Sequence, residues 1–214
     1  FLVDDISDYK RKATVVLDKI FPEYTQIFSD TFGKTSKEIL TKYPLPKDIL
    51  NEDLESLAKV LSTSSKGRLG YSKAEQLQNL AKESFGIKFA TEALVMEIKS
   101  ILSTIEHLQN QVSKLDEKIA VLLRSLGTTI ETIPGIGPVL GAIIVSEIGD
   151  INRFSHASKL VAYAGIDPTV KQSGEFNATK NRMSKRGTPY LRRALWTASI
   201  VAAFNDPNLH EYYL

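Results

Sequence analysis

Between Lys171 and Arg193 the chain carries Lys171, Lys180, Arg182, Lys185, Arg186, Arg192 and Arg193 against a single acid, Glu175. This segment holds six net positive charges in a 214-residue chain whose total is only +2, so the remainder is net acidic by four. A local block of this kind is the electrostatic footprint of a polyanion partner, and its cations suit phosphate oxygens. Two serines, Ser173 and Ser184, lie within the block; by spacing alone Ser173 reads as an ordinary loop serine, and a helix-entry role fits Ser184, which heads the Lys-Arg-Gly turn. Tyr190 stands just before Arg192 and Arg193, where a tyrosine nucleophile would have guanidinium groups beside it. At the first turn of an apolar helix, packing fits Tyr190 better.

A second candidate is the stretch Ile133–Asp150, which reads as a glycine turn feeding an apolar helix. Proline at 134 disfavours helix in the residue before it. Gly135 and Gly137 permit positive φ and close backbone approach, and Pro138 suits a first helical turn. Val139, Leu140, Ala142, Ile143, Ile144 and Ile148 supply a wide apolar face. Amide groups at such a turn, with a helix dipole behind them, form an anion site. The Pro-Gly-Ile-Gly-Pro pattern resembles the helix-hairpin-helix element of non-sequence-specific DNA-binding proteins, in which glycine amides grip a phosphate. The plainer alternative is a turn that only packs two helices.

The elements that position these groups are helical. Leu2, Ile6, Tyr9, Ala13, Val16 and Ile20 recur at steps of four and three, the seam of an amphipathic helix over 2–21. Asp4, Asp5 and Asp8 in its first turns complement the dipole. Glu23–Phe32 reads as a short helix. Thr35–Glu38 has the form of a capping box for a helix to about Tyr43. One or two short helices span Asp48–Leu61, Ser62–Gly67 is a loop, and Ser72 caps a helix over Lys73–Ser84, closed by Gly86.

A long helix over 88–126 carries Leu94, Ile98, Ile101, Ile105, Leu108, Val112, Leu115, Ile119, Leu122 and Leu126, a sustained heptad-like repeat that predicts a coiled-coil seam. It could pair with the first helix of its own chain, with residues 22–87 as a helical cap, or with another subunit, and dimerisation or higher assembly is expected. After the glycine turn, Ser155 can cap a helix over Ala157–Tyr163. Thr169–Arg182 lacks any helical period. Thr188 with Pro189 starts a final helix that carries Leu191, Leu195, Trp196, Ile200 and Val201 inward. No strand is convincing, so the expected fold is all-α or nearly so. A coiled-coil region over 1–127 is followed by a compact domain over 128–214, with the helix-hairpin-helix at 130–149 and a serine and basic loop at 165–193.

Composition excludes several classes. There is no Cys, hence no disulfide or thiolate zinc site. His107, His156 and His210 have no metal-ligand spacing. No apolar run is long enough to span a bilayer, no signal peptide is visible, and the expected compartment is the cytoplasm. The first residue is Phe1 within an immediately helical pattern, from which a fragment of a longer protein is expected.

From Thr132 onward the chain presents, in order, Ile-Pro-Gly-Ile-Gly, Gly-Asp-Ile with Arg-Phe, Ala-Tyr-Ala-Gly-Ile-Asp-Pro, Gln-Ser-Gly, and Ser-Lys-Arg-Gly followed by Tyr-Leu-Arg-Arg. This series resembles the C-terminal domain of the insertion-sequence 110 family of transposases, grouped with the 116 and 902 elements. Phe21–Tyr24 and Thr41–Leu50 also resemble that family's central segment. The resemblance implies a DNA recombinase with two catalytic parts: a RuvC-like domain whose DEDD tetrad binds Mg2+, and a C-terminal domain whose serine attacks a phosphodiester. It also implies direction by a structured bridge RNA.

The tetrad would lie upstream of Phe1. Asp4, Asp5 and Asp8 are not assigned to it, no metal site is expected here, and the fragment alone is expected to be inactive in cleavage. On the resemblance Ser173 of Gln-Ser-Gly is the nucleophile, with Ser184 second, and Gly174 lets the loop lie close to a DNA backbone. Gly135, Gly137, Lys171, Lys180, Arg182, Lys185, Arg186, Arg192 and Arg193 are the expected DNA contacts, since guanidinium groups stabilise phosphoryl charge. A non-catalytic helix-hairpin-helix scaffold is the alternative; the two readings differ at Ser173.

Overall fold

The computed structural model describes residues 1–169, 172–173, 176–177 and 182–213. As expected, it is built of helices; the strands among the described residues are one pair of two residues each. Two compact units are formed, Phe1–Ser113 and Lys114–Leu214. Their boundary falls inside the long helix, not after its glycine stop at 127.

In the first unit, α1 (Leu2–Ile20) is followed by a 3-10 turn at Pro22–Gln26 and by α2 (Lys34–Lys42), α3 (Pro46–Asn51), α4 (Leu54–Ser65), α5 (Tyr71–Glu83) and the start of α6 (Thr91–Ser125). The predicted seam of α1 is the buried one: Ile6, Ala13, Val16 and Ile20 enter the core. They share it with Ile98, Ile101 and Ile105 of α6, with Leu94, Leu108 and Val112 partly covered. The first half of the heptad repeat is therefore used within the chain. Gly86 sits against the end of α1: a Cβ there would lie 2.3 Å from the Ile20 carbonyl oxygen, and the Ile87 amide donates to Lys19 O at 2.8 Å.

Several local expectations for this unit are revised. Glu23–Phe32 is a 3-10 turn followed by bends, not a helix. The capping box at Thr35 does not form; α2 is capped by Gly33. Ser36 turns inward instead. Its hydroxyl donates to Thr31 O at 2.6 Å and lies 3.0 Å from the buried Tyr24 hydroxyl, which itself donates to Ser36 O at 2.9 Å. Burying the Tyr24 phenol needs those partners. Helix α4 runs on through Ser62–Ser65 and stops at Lys66, in the left-handed region at φ 56. The Ser64 hydroxyl bonds back to Val60 O at 2.8 Å, so the serines stay helical. Gly70, not Ser72, caps α5.

The second unit holds the rest of α6, a 3-10 turn at Ile130–Thr132, α7 (Pro138–Ile148), a 3-10 turn at Ile151–Arg153 and α8 (Ala157–Ala164). Strands β1 (Gln172–Ser173) and β2 (Phe176–Asn177), α9 (Pro189–Asn205) and α10 (Pro207–Tyr213) complete it. The core joins Ile136, Ile144, Ala164, Leu191, Ala194 and Ala198. Gly141 of α7 makes room for Leu123: a Cβ there would come within 3.0 Å of the Leu123 and Ile130 methyls.

The buried face of α9 differs from the expected one. Leu191, Ala194, Ala198 and Ala202 are buried, whereas Trp196, Ile200 and Val201 are 64%, 42% and 40% exposed. The reason is close approach. The glycine turn comes so near that a Cβ at Gly135 would lie 2.9 Å from Ala198 O, and only a stripe of alanines lets two backbones meet at that distance. His156, rather than Ser155, is the cap position of α8. Among the described residues no helix is long and apolar enough to cross a membrane.

Candidate nucleic-acid interface

The glycine turn divides its two glycines by role. Gly135 adopts φ 92, a conformation favouring glycine, and packs its open side on α9, where a Cβ would strike Val201 Cβ at 2.7 Å. Gly137 does not use positive φ. It is the extended cap of α7 at φ −87, and a Cβ added there would meet nothing within 4 Å. Pro138 occupies the first helical turn, as expected. Within 130–149 there is one α-helix and one 3-10 turn, not two α-helices. For Gly135 the plainer role, packing, is the observed one.

The two later motifs lock together through their backbones. Gly165, at φ 69, closes α8. From the other motif the Lys185 amide donates to Gly165 O at 2.9 Å, Ser184 N to Asp167 O at 2.8 Å, and Thr188 N to Tyr163 O at 3.0 Å. The Ser184 hydroxyl also donates to the Asp167 carboxylate. Gly187 is the tightest point: a Cβ there would sit 1.8 Å from Tyr163 O. Thr188 does cap α9, accepting from the Leu191 amide. Its hydroxyl donates to Glu147 Oε2 at 2.6 Å, while the Tyr163 hydroxyl donates to Glu147 O at 3.1 Å. Asp167 and Glu147 are thus hydrogen-bond partners of the clasp that spacing does not single out. Only the Ile-Asp-Pro motif hints at the first.

From this clasp a β-ribbon projects. Pro168 pairs with Met183, and Thr169 N donates to Arg182 O at 2.7 Å. Further out β1 and β2 run antiparallel, Gln172 opposite Asn177 and Ser173 opposite Phe176. No strand is expected here from sequence, because two-residue pairs fall below any periodicity. Ser173, described by its backbone, ends β1. Lys171, Gly174 and Lys180 lie outside the described residues. Ser184 belongs to the clasp, where Asp167 holds its hydroxyl.

The cations split as well. Arg182, Lys185, Arg186 and Arg193 are exposed, and none of the ion pairs among the described residues engages them. Arg192 is committed differently: its Nη1 donates to Ala164 O at 3.1 Å and Gly187 O at 3.4 Å, tying α9 to the clasp. Lys185 holds a left-handed backbone at φ 54. A groove of about 560 Å3 is lined by Ile166, Met183, Lys185, Arg192, Arg193, Leu195, Trp196 and Ser199. Tyr190 is 70% exposed, so it does not pack as expected.

Among the described residues no group of three or more His, Asp or Glu gathers. Asp8 pairs with Arg11, and Asp4 with the Phe1 amino group.

Residues 127–214, which contain the glycine turn, the clasp and the ribbon, match the family model described as Transposase IS116/IS110/IS902 family. The chain is 25% identical over 211 residues to a 44.8 kDa protein of insertion element IS116 from Streptomyces clavuligerus, covering 93% of this chain and 50% of that protein. It is 28% identical over 125 residues to a 43.6 kDa protein of insertion element IS110 from Streptomyces coelicolor, covering 58% and 31%. It is 31% identical over 120 residues to the pilin gene-inverting protein of Moraxella bovis, covering 53% and 37%. The chain thus spans half the length of the first of these relatives and about a third of the other two. The similarity to the IS116 protein runs through the first helical unit as well as the second. Residues 127–214 are therefore similar to the domain described as Transposase IS116/IS110/IS902 family.

Proposed function

We propose that this chain supplies the DNA-contacting half of a transposase or site-specific recombinase, with Ser173 as the nucleophile. The observation that carries the reading is the clasped ribbon. Ser173 lies at the outer end of a short β-pair whose base is fixed by the two motifs, and exposed Arg182, Lys185, Arg186 and Arg193 surround that base. In the step proposed, Ser173 Oγ attacks phosphorus. The Oγ–P bond forms as the bond to the departing strand breaks, the serine proton leaves to a base or solvent, and the departing oxygen takes up a proton. The cations hold the phosphate and stabilise its extra charge. Mg2+, bound by an acidic tetrad elsewhere in the longer protein, would supply Lewis-acid help.

The match to a family model described as a transposase, and a relative named for pilin gene inversion, support this reading. A non-coding RNA of the element is proposed as a second partner, read by gel shift, and the cytoplasm as the compartment. Assembly of copies through α6 is supported by Leu115, Leu122 and Leu126, which are 47%, 65% and 66% exposed. In the longer protein, Ser173→Ala should abolish strand cleavage and any covalent protein–DNA adduct while DNA binding persists. Normal cleavage by that variant sinks the nucleophile assignment and leaves a DNA-binding scaffold.

A further inference from the structure

We infer that the groove beside Trp196 is a seat for an unpaired base of single-stranded DNA, with Lys185 and Arg193 on the flanking phosphates. The inference rests on the DNA-contact reading above and adds a ligand site to it. Trp196 is 64% exposed although it sits on the same helix as the buried Leu191, Ala194 and Ala198. It fills no core, so its large π-face is presented to solvent. Met183 and Ile166 wall the groove with apolar atoms, and Lys185 and Arg193 give it positive charge. Arg192 lines it too, with its Nη1 donated to two carbonyls.

An aromatic face with cations beside it is the arrangement that binds single strands, because every base has a π-face and phosphates follow it. A base inside an intact duplex is stacked on its neighbours and cannot reach an indole unless it is extruded. The groove lies at the foot of the ribbon, where Met183 pairs with Pro168. A strand opened for exchange would there have its unpaired base stacked on the indole. The volume of about 560 Å3 is within the range of sites that enclose small ligands.

Trp196 is the only tryptophan in the chain, so a change in emission is a change at this residue. The experiment titrates the 214-residue chain with three labelled oligonucleotides at low salt: a single strand, the same strand with abasic sites, and the duplex. Anisotropy and tryptophan emission are read together. The single strand is expected to quench the emission along its own binding curve. The abasic strand should bind roughly 5- to 150-fold more weakly without quenching, the span that stacking of one base supports. Trp196→Ala should lose the same factor for the single strand and leave duplex binding unchanged. Trp196→Phe should recover most of the loss, and Lys185→Ala or Arg193→Ala should weaken all three oligonucleotides. Base-bearing and abasic strands that bind alike, with emission unmoved, overturn this inference alone. Failure of every oligonucleotide to bind overturns the parent reading. An RNA strand of the same sequence that binds more tightly than the DNA overturns the choice of DNA. Emission that changes with protein concentration and not with DNA shows that a second copy covers the groove, and overturns the site.

Discussion

Gly187→Ala is the most direct trial of the clasp. An added methyl would start 1.8 Å from Tyr163 O, 2.5 Å from Tyr163 C and 2.6 Å from Gly165 N, all backbone atoms that cannot swing aside. Ordinary contact begins at 3.4 Å, so the two segments must part by roughly 1.5 Å, enough to carry an N–H···O bond out of range. The bonds at stake are Thr188 N to Tyr163 O at 3.0 Å and Lys185 N to Gly165 O at 2.9 Å. Each contributes about 0.5–1.5 kcal/mol, and a buried group left without a partner costs about 1–3 kcal/mol more. The local loss is then about 2–4 kcal/mol, a large share of the stability of a small domain. Native-state amide hydrogen exchange on a peptide covering 182–192 reads it directly. Protection of Ser184, Lys185 and Thr188 should fall roughly 30- to 1,000-fold. Protection within about threefold of the parent would refute the close approach and the account of the ribbon's support.

Three further outcomes are expected. Gly135→Ala should destabilise the second unit by about 2 kcal/mol or more, through positive φ and collision with α9, whereas Gly137→Ala should shift it by less than about 1 kcal/mol; urea midpoints compare them. Arg192→Ala should lower stability by about 1.5–3 kcal/mol through its carbonyl bonds, while Arg193→Ala should leave stability unchanged and reduce the salt slope of DNA binding by about one. Burial raises the Tyr24 pKa above its usual 10.0. Both states keep the proton below pH 10, but above it the unfolded tyrosine ionises first, so stability falls as pH rises. Tyr24→Phe should cost about 1–2 kcal/mol at neutral pH, and the gap to the parent should narrow above about pH 10 in urea titrations.

What can be read from sequence is what local rules decide. The seam of α1, the span of α6 and the Thr188-Pro189 start of α9 follow from period and capping, which a few neighbouring residues determine. The face of α9 does not follow. Trp196, Ile200 and Val201 look like the apolar side by bulk, but burial is set by the distance to a glycine turn some 60 positions earlier. Ser36 sits inside the sequence of a predicted capping box, at a position the box would not use, and satisfies Tyr24 across the core. Arg192 resembles its neighbour Arg193 in sequence, and only the positions of Ala164 O and Gly187 O separate an anchoring guanidinium from a free one. Asp167 and Glu147 escape a sequence search for the same reason: their partners, Ser184 and Thr188, are 17 and 41 residues away.

On the role proposed for Ser173, the order of the motifs around it has a mechanical reason. A two-residue strand pair has too few hydrogen bonds to hold its own shape, yet a serine that attacks phosphorus in line must be placed closely, since small displacements of a reacting group cost rate steeply. The rigidity has to come from the foot of the ribbon. Ala-Tyr-Ala-Gly-Ile-Asp-Pro ends just before β1, and Ser-Lys-Arg-Gly begins after β2, so the two motifs form the jaws on either side of the serine. Their glycines permit the backbones to touch, Asp167 and Ser184 join the jaws by side chain, and Arg192 fastens both to α9. On this view the glycines and the aspartate act on cleavage only through the position of Ser173, and the exposed cations act through the DNA. Loosening the clasp should therefore slow strand cleavage while leaving the salt dependence of binding as it was, and removing a cation should do the reverse.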